Sequence, residues 1–268
     1  MSISPKRRPT TVLKSRRSGH SRGGASRRKS TSSGSTSGGR RQKRTGRNQK
    51  SYLWFVSGCL VLVCLLLTGG RLVYQSLRTE RAAKMALGEG QLGDPLRGAP
   101  PLDVELLTVN EYSRPGTPLE KVKNVAIHYT ANPGSTAKNN RDYFEGLKDN
   151  HSNKVSSHFV VGLDGEIVQC IPTNEISYAT NERNVDTLSI ECCHSDADGK
   201  FNDATYQSLV ELTAYLCNRF GLSVDHVIRH YDVTGKDCPK YNVEHPNAWE
   251  KRREDIAKEM KRKQREMN

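Results

Sequence analysis

Residues 158–170 read His158-Phe159-Val160-Val161-Gly162-Leu163-Asp164-Gly165-Glu166-Ile167-Val168-Gln169-Cys170. Two short runs rich in β-branched and aromatic side chains flank an Asp-Gly pair. Asp-Gly tolerates the positive φ of a tight turn, so this pattern predicts an antiparallel hairpin. Upstream, Val125-Ala126-Ile127 is a short apolar run ending in His128 and predicts a buried strand. Downstream, residues 186–193 and 227–230 predict two more. A helix is expected over 137–149, with Asn140, Phe144 and Leu147 on one stripe and Ser135 or Thr136 as its cap. A second is expected over 203–220, with Tyr206, Leu209, Leu212, Leu216 and Phe220 inward and Gly221 as its stop. A charged helix begins at Trp249, its far end expected to be frayed and solvated. Strands and helices do not alternate strictly. The expected fold class is therefore α/β, a mixed central β-sheet flanked by helices.

The N-terminal side has a different character. Of 42 Lys and Arg residues in the 268-residue chain, 16 lie in residues 1–50, which contain no Asp or Glu. The remaining 26 face 29 acidic residues, so the net charge of +13 belongs to the tail. This excludes reading the rest of the chain as a basic nucleic-acid-binding domain. The tail is rich in Ser, Gly and Thr, has little apolar surface to bury, and is expected to be disordered. Its charge suits an anionic lipid surface or a nucleic acid.

Residues 51–70, SYLWFVSGCLVLVCLLLTGG, carry no charge. As a helix they span roughly 30 Å, the hydrocarbon thickness of a bilayer. Tyr52 and Trp54 stand where interfacial aromatics are common. A cleaved signal peptide fits less well, because the basic lead-in is long and no small-x-small site follows. The asymmetry of Lys and Arg predicts a single-pass protein of the cell membrane, with a cytoplasmic N-terminus and an extracytoplasmic C-terminal part. The expected organisation is a tail over 1–50, a transmembrane helix over 51–73 and a stalk over 74–104. A domain over 105–245 and a charged helix over 246–268 follow.

Five of seven cysteines, Cys170, Cys192, Cys193, Cys217 and Cys238, fall in the exported part. An odd set leaves at least one unpaired, to be buried or to bind metal. Among eight histidines, His20 lies in the tail, and His151, His194, His226 and His245 read as ordinary surface residues. His128, His158 and His230 adjoin short apolar strands. His128 and His230 end strands, which can converge in a sheet, and the loop through Gly235 can return Cys238 beside His230, so the three form a candidate ligand set for Zn2+ with one open position. Glu191, after Leu188-Ser189-Ile190, is the candidate base, and Lys236 the candidate charge facing a developing oxyanion.

Four ordered motifs bear a resemblance. They are Val125 to Ala131, Ser157 to Gly165, Ser189-Ile190-Glu191, and His230-Tyr231-Asp232 through Lys236-Asp237-Cys238-Pro239. Together they resemble the N-acetylmuramoyl-L-alanine amidase type 2 family of phage amidase lysozymes, AmpD-type enzymes and peptidoglycan recognition proteins. The resemblance covers about residues 105–245. It implies zinc held by His128, His230 and Cys238, with Glu191 and Lys236 catalytic. It also implies that Tyr129, Thr130, Ser157 and His158 meet substrate. The implied reaction is hydrolysis of the amide between N-acetylmuramic acid and L-alanine in peptidoglycan or muropeptides, by a monomeric domain. Its alternative is a non-catalytic peptidoglycan-binding module. Phage-type members carry a catalytic Tyr where this chain has Ser157, which leaves that role to Tyr129, Glu191 or another group.

Overall fold

The computed structural model describes residues 46–88 and 96–267, and the 1–45 part of the basic tail lies outside them. The chain divides into two units, residues 1–58 and 59–268. The second contains a six-stranded sheet in the order β1-β4-β3-β5-β2-β6. Its strands are β1 (Asp103–Val104), β2 (Asn124–Tyr129), β3 (Phe159–Val161), β4 (Ile167–Gln169), β5 (Thr187–Cys192) and β6 (Val227–Arg229). Only β3 and β4 pair antiparallel, and the other neighbours are parallel. The expected mixed sheet and its hairpin are thus present, with Gly165 at φ +83° in the turn.

β2 and β5 are buried on both faces, and β2 accordingly carries the continuous apolar run Val125-Ala126-Ile127. Side chains alternate between the faces. Val125, Ile127, Leu188, Ile190, Phe159 and Val161 form one core with α3 (Asp203–Phe220) and α6 (Pro246–Met267). Val160 and Val168 form a second with Phe144 of α2 (Ala137–Asn150). Each fully buried aliphatic or Phe side chain contributes about 1.5–3 kcal/mol. Thr136 caps α2 through a capping box with Asn139, and Gly221 ends α3 in the left-handed conformation. α3 is buried almost all round from Leu212 to Arg219, more than its predicted inward face, because α6 covers its outer side.

Three expectations are corrected. The C-terminal helix, Pro246–Met267, lies within the expected 246–268, but its far end is packed rather than frayed: Lys263 donates to Glu211 and the Gly98 carbonyl, and Gln264 to Asn218. Trp249 and Ile256 belong to the main core, so this helix is part of the domain. The expected stalk is also partly integral. α1 (Gly46–Leu87) continues unbroken past residue 74, and β1 adds a strand to the sheet edge. Ala83, Ala86 and Leu87 are buried. A helix end leaves carbonyls unsatisfied. Here the Ala86 carbonyl accepts from the Gln169 side chain at 2.9 Å and from the Thr173 N–H at 2.8 Å. Those of Leu87 and Gly88 accept from Thr173 and Arg219. Finally, His194 is buried and lies against the Tyr129 ring in a tilted arrangement, 5.2 Å between centroids, so it is no surface residue.

Upstream of that dock, α1 is exposed and apolar, with Trp54, Phe55, Leu60 and Leu65 to Leu67 among its uncovered side chains. The helix from Trp54 to Leu87 is long and apolar enough to cross a membrane, with mean hydropathy 2.1 in its most apolar stretch.

Candidate metal centre and substrate groove

Three adjacent parallel strands, β5, β2 and β6, deliver the site at their carboxyl ends. Open α/β sheets bind ligands at that edge. His128 is the penultimate residue of β2, and Glu191 that of β5. The two are register partners, so their side chains leave the same face. His230 follows β6 directly and opens α4 (His230–Thr234). Gly235, at φ +73°, ends α4 and turns the chain back. The Tyr231 N–H then donates to the Cys238 carbonyl at 2.9 Å, which closes the loop and brings the thiol beside β2. The Cys238–Pro239 peptide is cis. α5 (Lys240–Glu244) follows.

One ligand atom from each of His128, His230 and Cys238 lies within 4.8 Å of the others, and all three residues are buried. Cys238 Sγ is 3.7 Å from His128 Nδ1. Tetrahedral zinc with ordinary Zn–S and Zn–N lengths would hold such atoms about 3.6 Å apart. The donor set and its spacing therefore fit zinc. His128 Nε2 faces Thr180 Oγ1 at 3.4 Å, and His230 Nε2 faces Asn181 Oδ1 at 3.1 Å. These contacts occupy one nitrogen of each ring and leave both Nδ1 atoms for a metal. Thr180 and Asn181 sit at the start of a 3-10 turn, Asn181–Val185. The sequence reading missed both, since nothing in their local pattern distinguishes them from an ordinary polar loop.

A groove of about 410 Å3 lies over these atoms. Tyr129, Thr130, Glu191 and Lys236 line it together with the three candidate ligands. Asn139 and Tyr143 of α2 line it as well. Gly199, at φ +74°, lets the loop after β5 approach, since a Cβ there would stand 3.0 Å from the Tyr129 ring. Burial pushes the Glu191 carboxyl up to about 8, against the opposing pull of Lys236, and its Oε2 has no hydrogen-bond partner. Burial also raises the Cys238 thiol to about 12, with Glu191 adding to the effect. His128 is held well below its ordinary value by burial, then by His230 and Lys236. Two neutral imidazoles, a thiol and a desolvated carboxyl form a set that a cation would convert to its ligating state.

Ser157 and His158 do not line the groove, which corrects the expectation that they meet substrate. Both are fully buried. Ser157 Oγ donates to the Ser189 carbonyl at 2.9 Å. His158 Nδ1 accepts from the Ser189 N–H at 3.0 Å, and its Nε2–H donates to the Glu175 carbonyl at 2.9 Å. They tie the segment before β3 to β5, the strand that carries Glu191. Cys170, Cys192, Cys193 and Cys217 are buried free thiols.

A carboxyl-edge groove holding two imidazoles, a thiol and an adjacent buried carboxyl is a candidate metal centre. Residues 118–241 match the family model described as N-acetylmuramoyl-L-alanine amidase. Over these residues the chain is similar to the amidase type 2 family. The N-acetylmuramoyl-L-alanine amidase CwlL of Bacillus licheniformis is 41% identical over 144 residues, which cover 49% of this chain and 39% of that protein. BlyA of Bacillus subtilis strain 168, named as the same activity, is 35% identical over 154 residues, covering 50% and 40%. The chain thus spans about two fifths of the length of these curated relatives. Among solved structures, the catalytic domain of XlyA is 26% identical with a TM-score of 0.50, covering 59% of this chain and 99% of that one. PlyL, at 22% identity and a TM-score of 0.51 over 59% and 97%, shares the fold.

Proposed function

We propose that this chain is a zinc-dependent N-acetylmuramoyl-L-alanine amidase that cleaves the amide joining N-acetylmuramic acid to L-alanine. The observation that carries the reading is the convergence of His128, His230 and Cys238 beside Glu191. Zinc, when bound there, supplies a Lewis acid and an acidified water. The chain's own groups do the rest. Glu191, desolvated in the groove, accepts a proton from the attacking water and returns it to the departing nitrogen of L-alanine. Lys236, exposed at the groove and without a carboxylate within ion-pair distance among the described residues, faces the charge that develops on the carbonyl oxygen. Tyr129 and Thr130 border the cleft and orient the muramyl peptide. The role of the phage-type Tyr falls to Glu191 rather than to Ser157, which is sealed beneath the site.

We further propose that α1 tethers the domain to the outer face of the cell membrane, with the basic tail in the cytoplasm. Its apolar length supports this reading. A non-catalytic peptidoglycan-binding module is the competing function. The zinc-loaded chain incubated with a defined muramyl peptide separates the two. Hydrolysis gives N-acetylmuramic acid with a free lactyl carboxylate and a peptide with a free L-alanine amine. Binding without these products leaves only the module.

A further inference from the structure

A second cavity, of about 280 Å3, opens beside the first turns of α3 and α6 and shares no lining residue with the groove. Its charge is lopsided. Lys200, Lys251 and Arg252 line it, against one carboxylate, Asp203. Lys251 is matched by Asp255, which lies outside the lining. Arg252 has no such match. It is only 3% exposed, and among the described residues no carboxylate lies within ion-pair distance of it. Its Nη1 donates to Asn242 Oδ1, its centre lies 4.6 Å from the Phe201 ring and 5.1 Å from that of Tyr206, and its Nε has no hydrogen-bond partner. A buried charge among neutral neighbours is costly unless an anion reaches it. Burial accordingly lowers the Arg252 pKa. Helices α3 and α6, of 18 and 22 residues, both point their positive ends toward this region.

We propose that this cavity is an anion site for a phosphate group, either free or as a phosphodiester within a polymer. A tetrahedral phosphate offers oxygens in several directions. It meets the Arg252 fork, the Lys200 ammonium and a helix N-terminus at once, whereas a planar carboxylate satisfies the fork alone. Gly199 packs against the Tyr129 ring at the groove, and Lys200, the next residue, sits 5.7 Å over the Tyr241 ring at the second cavity. A polymer held by its phosphate is therefore kept beside the groove without entering it. The inference does not rest on the amidase reading.

The test is calorimetric titration of the full-length chain in detergent with inorganic phosphate and, separately, with a bis(glycerol) phosphodiester. We expect saturable one-to-one binding that persists in Cys238→Ala, which removes a metal ligand and so excludes phosphate held by metal. Arg252→Gln should weaken it at least about tenfold. The exposed Lys200→Glu, which leaves packing intact, should weaken it about threefold or more and keeps the test decisive if Arg252→Gln fails to fold. Tighter binding of the diester points to a polymer, and tighter inorganic phosphate to a soluble ligand. Full competition by acetate at equal concentration overturns the proposal. So does binding unchanged in Lys200→Glu, or binding lost in Cys238→Ala alone.

Discussion

His128 and Glu191 are register partners across the parallel β2–β5 pair, so a candidate metal ligand and a desolvated carboxyl leave the same face at the same height. This pairing separates two roles that a mutation can tell apart. Glu191→Gln keeps the side-chain volume and the three ligands. It should leave zinc stoichiometry at one per chain and lower kcat by about 10²–10⁴-fold, the usual range for loss of a general base. Metal analysis and turnover on a muramyl peptide check this. A variant with unimpaired kcat would remove Glu191 from the chemistry.

Thr180 and Asn181 hold the outward nitrogens of His128 and His230. Thr180→Val keeps the shape and removes the hydroxyl. Asn181 sits at φ +52°, so Asn181→Gly removes the amide while preserving the backbone. Each change should weaken zinc affinity by about 10–100-fold, as measured by competition with a chelator. Unaltered affinity in both would mean that these contacts do not orient the rings.

His158 makes stability depend on pH. Burial lowers its pKa from 6.5 to about 4. Below 6.5 the unfolded chain takes up a proton that the folded chain refuses until about pH 4. The stability tied to His158 is therefore complete above pH 6.5 and declines as pH falls from 6.5 toward 4, by up to about 3 kcal/mol. Denaturant unfolding across that window should show a shallower decline in His158→Gln than in the parent. Equal slopes would contradict the buried, neutral imidazole.

Leu87 ends the apolar helix and is fully buried in the main core. Leu87→Ala should destabilise the domain by about 2–5 kcal/mol. An unchanged unfolding midpoint would show that the helix end does not pack where the Gln169, Thr173 and Arg219 contacts put it.

The fold was legible where local pattern and tertiary context agree. The Asp164-Gly165 turn, the buried runs of β2 and β5, and the Gly221 stop each carry their own signal. The candidate ligands were legible because His128 and His230 adjoin short apolar strands and Cys238 follows His230 across a Gly-containing loop. What escaped were features set by contact rather than by pattern. Thr180 and Asn181 matter only because their turn meets His128 and His230. Ser157 and His158 adjoin a motif, yet face inward because the segment before β3 is pinned to Ser189. The far end of α6 looks like a solvated charged helix, but Lys263 finds Glu211 and the Gly98 carbonyl. His194 resembles a loop histidine until Tyr129 covers it.

The central claim is that His128, His230 and Cys238 hold a zinc ion on which amide hydrolysis depends. The most direct test removes metal from the full-length chain with a chelator, returns zinc in steps, and follows both bound zinc and product mass on a defined muramyl peptide. Activity in the parent should rise in proportion to zinc and saturate at one ion per chain, while Cys238→Ala should neither retain zinc nor release L-alanine-terminated peptide. Full cleavage by the metal-free chain, or by a zinc-replete Cys238→Ala protein, would contradict the account.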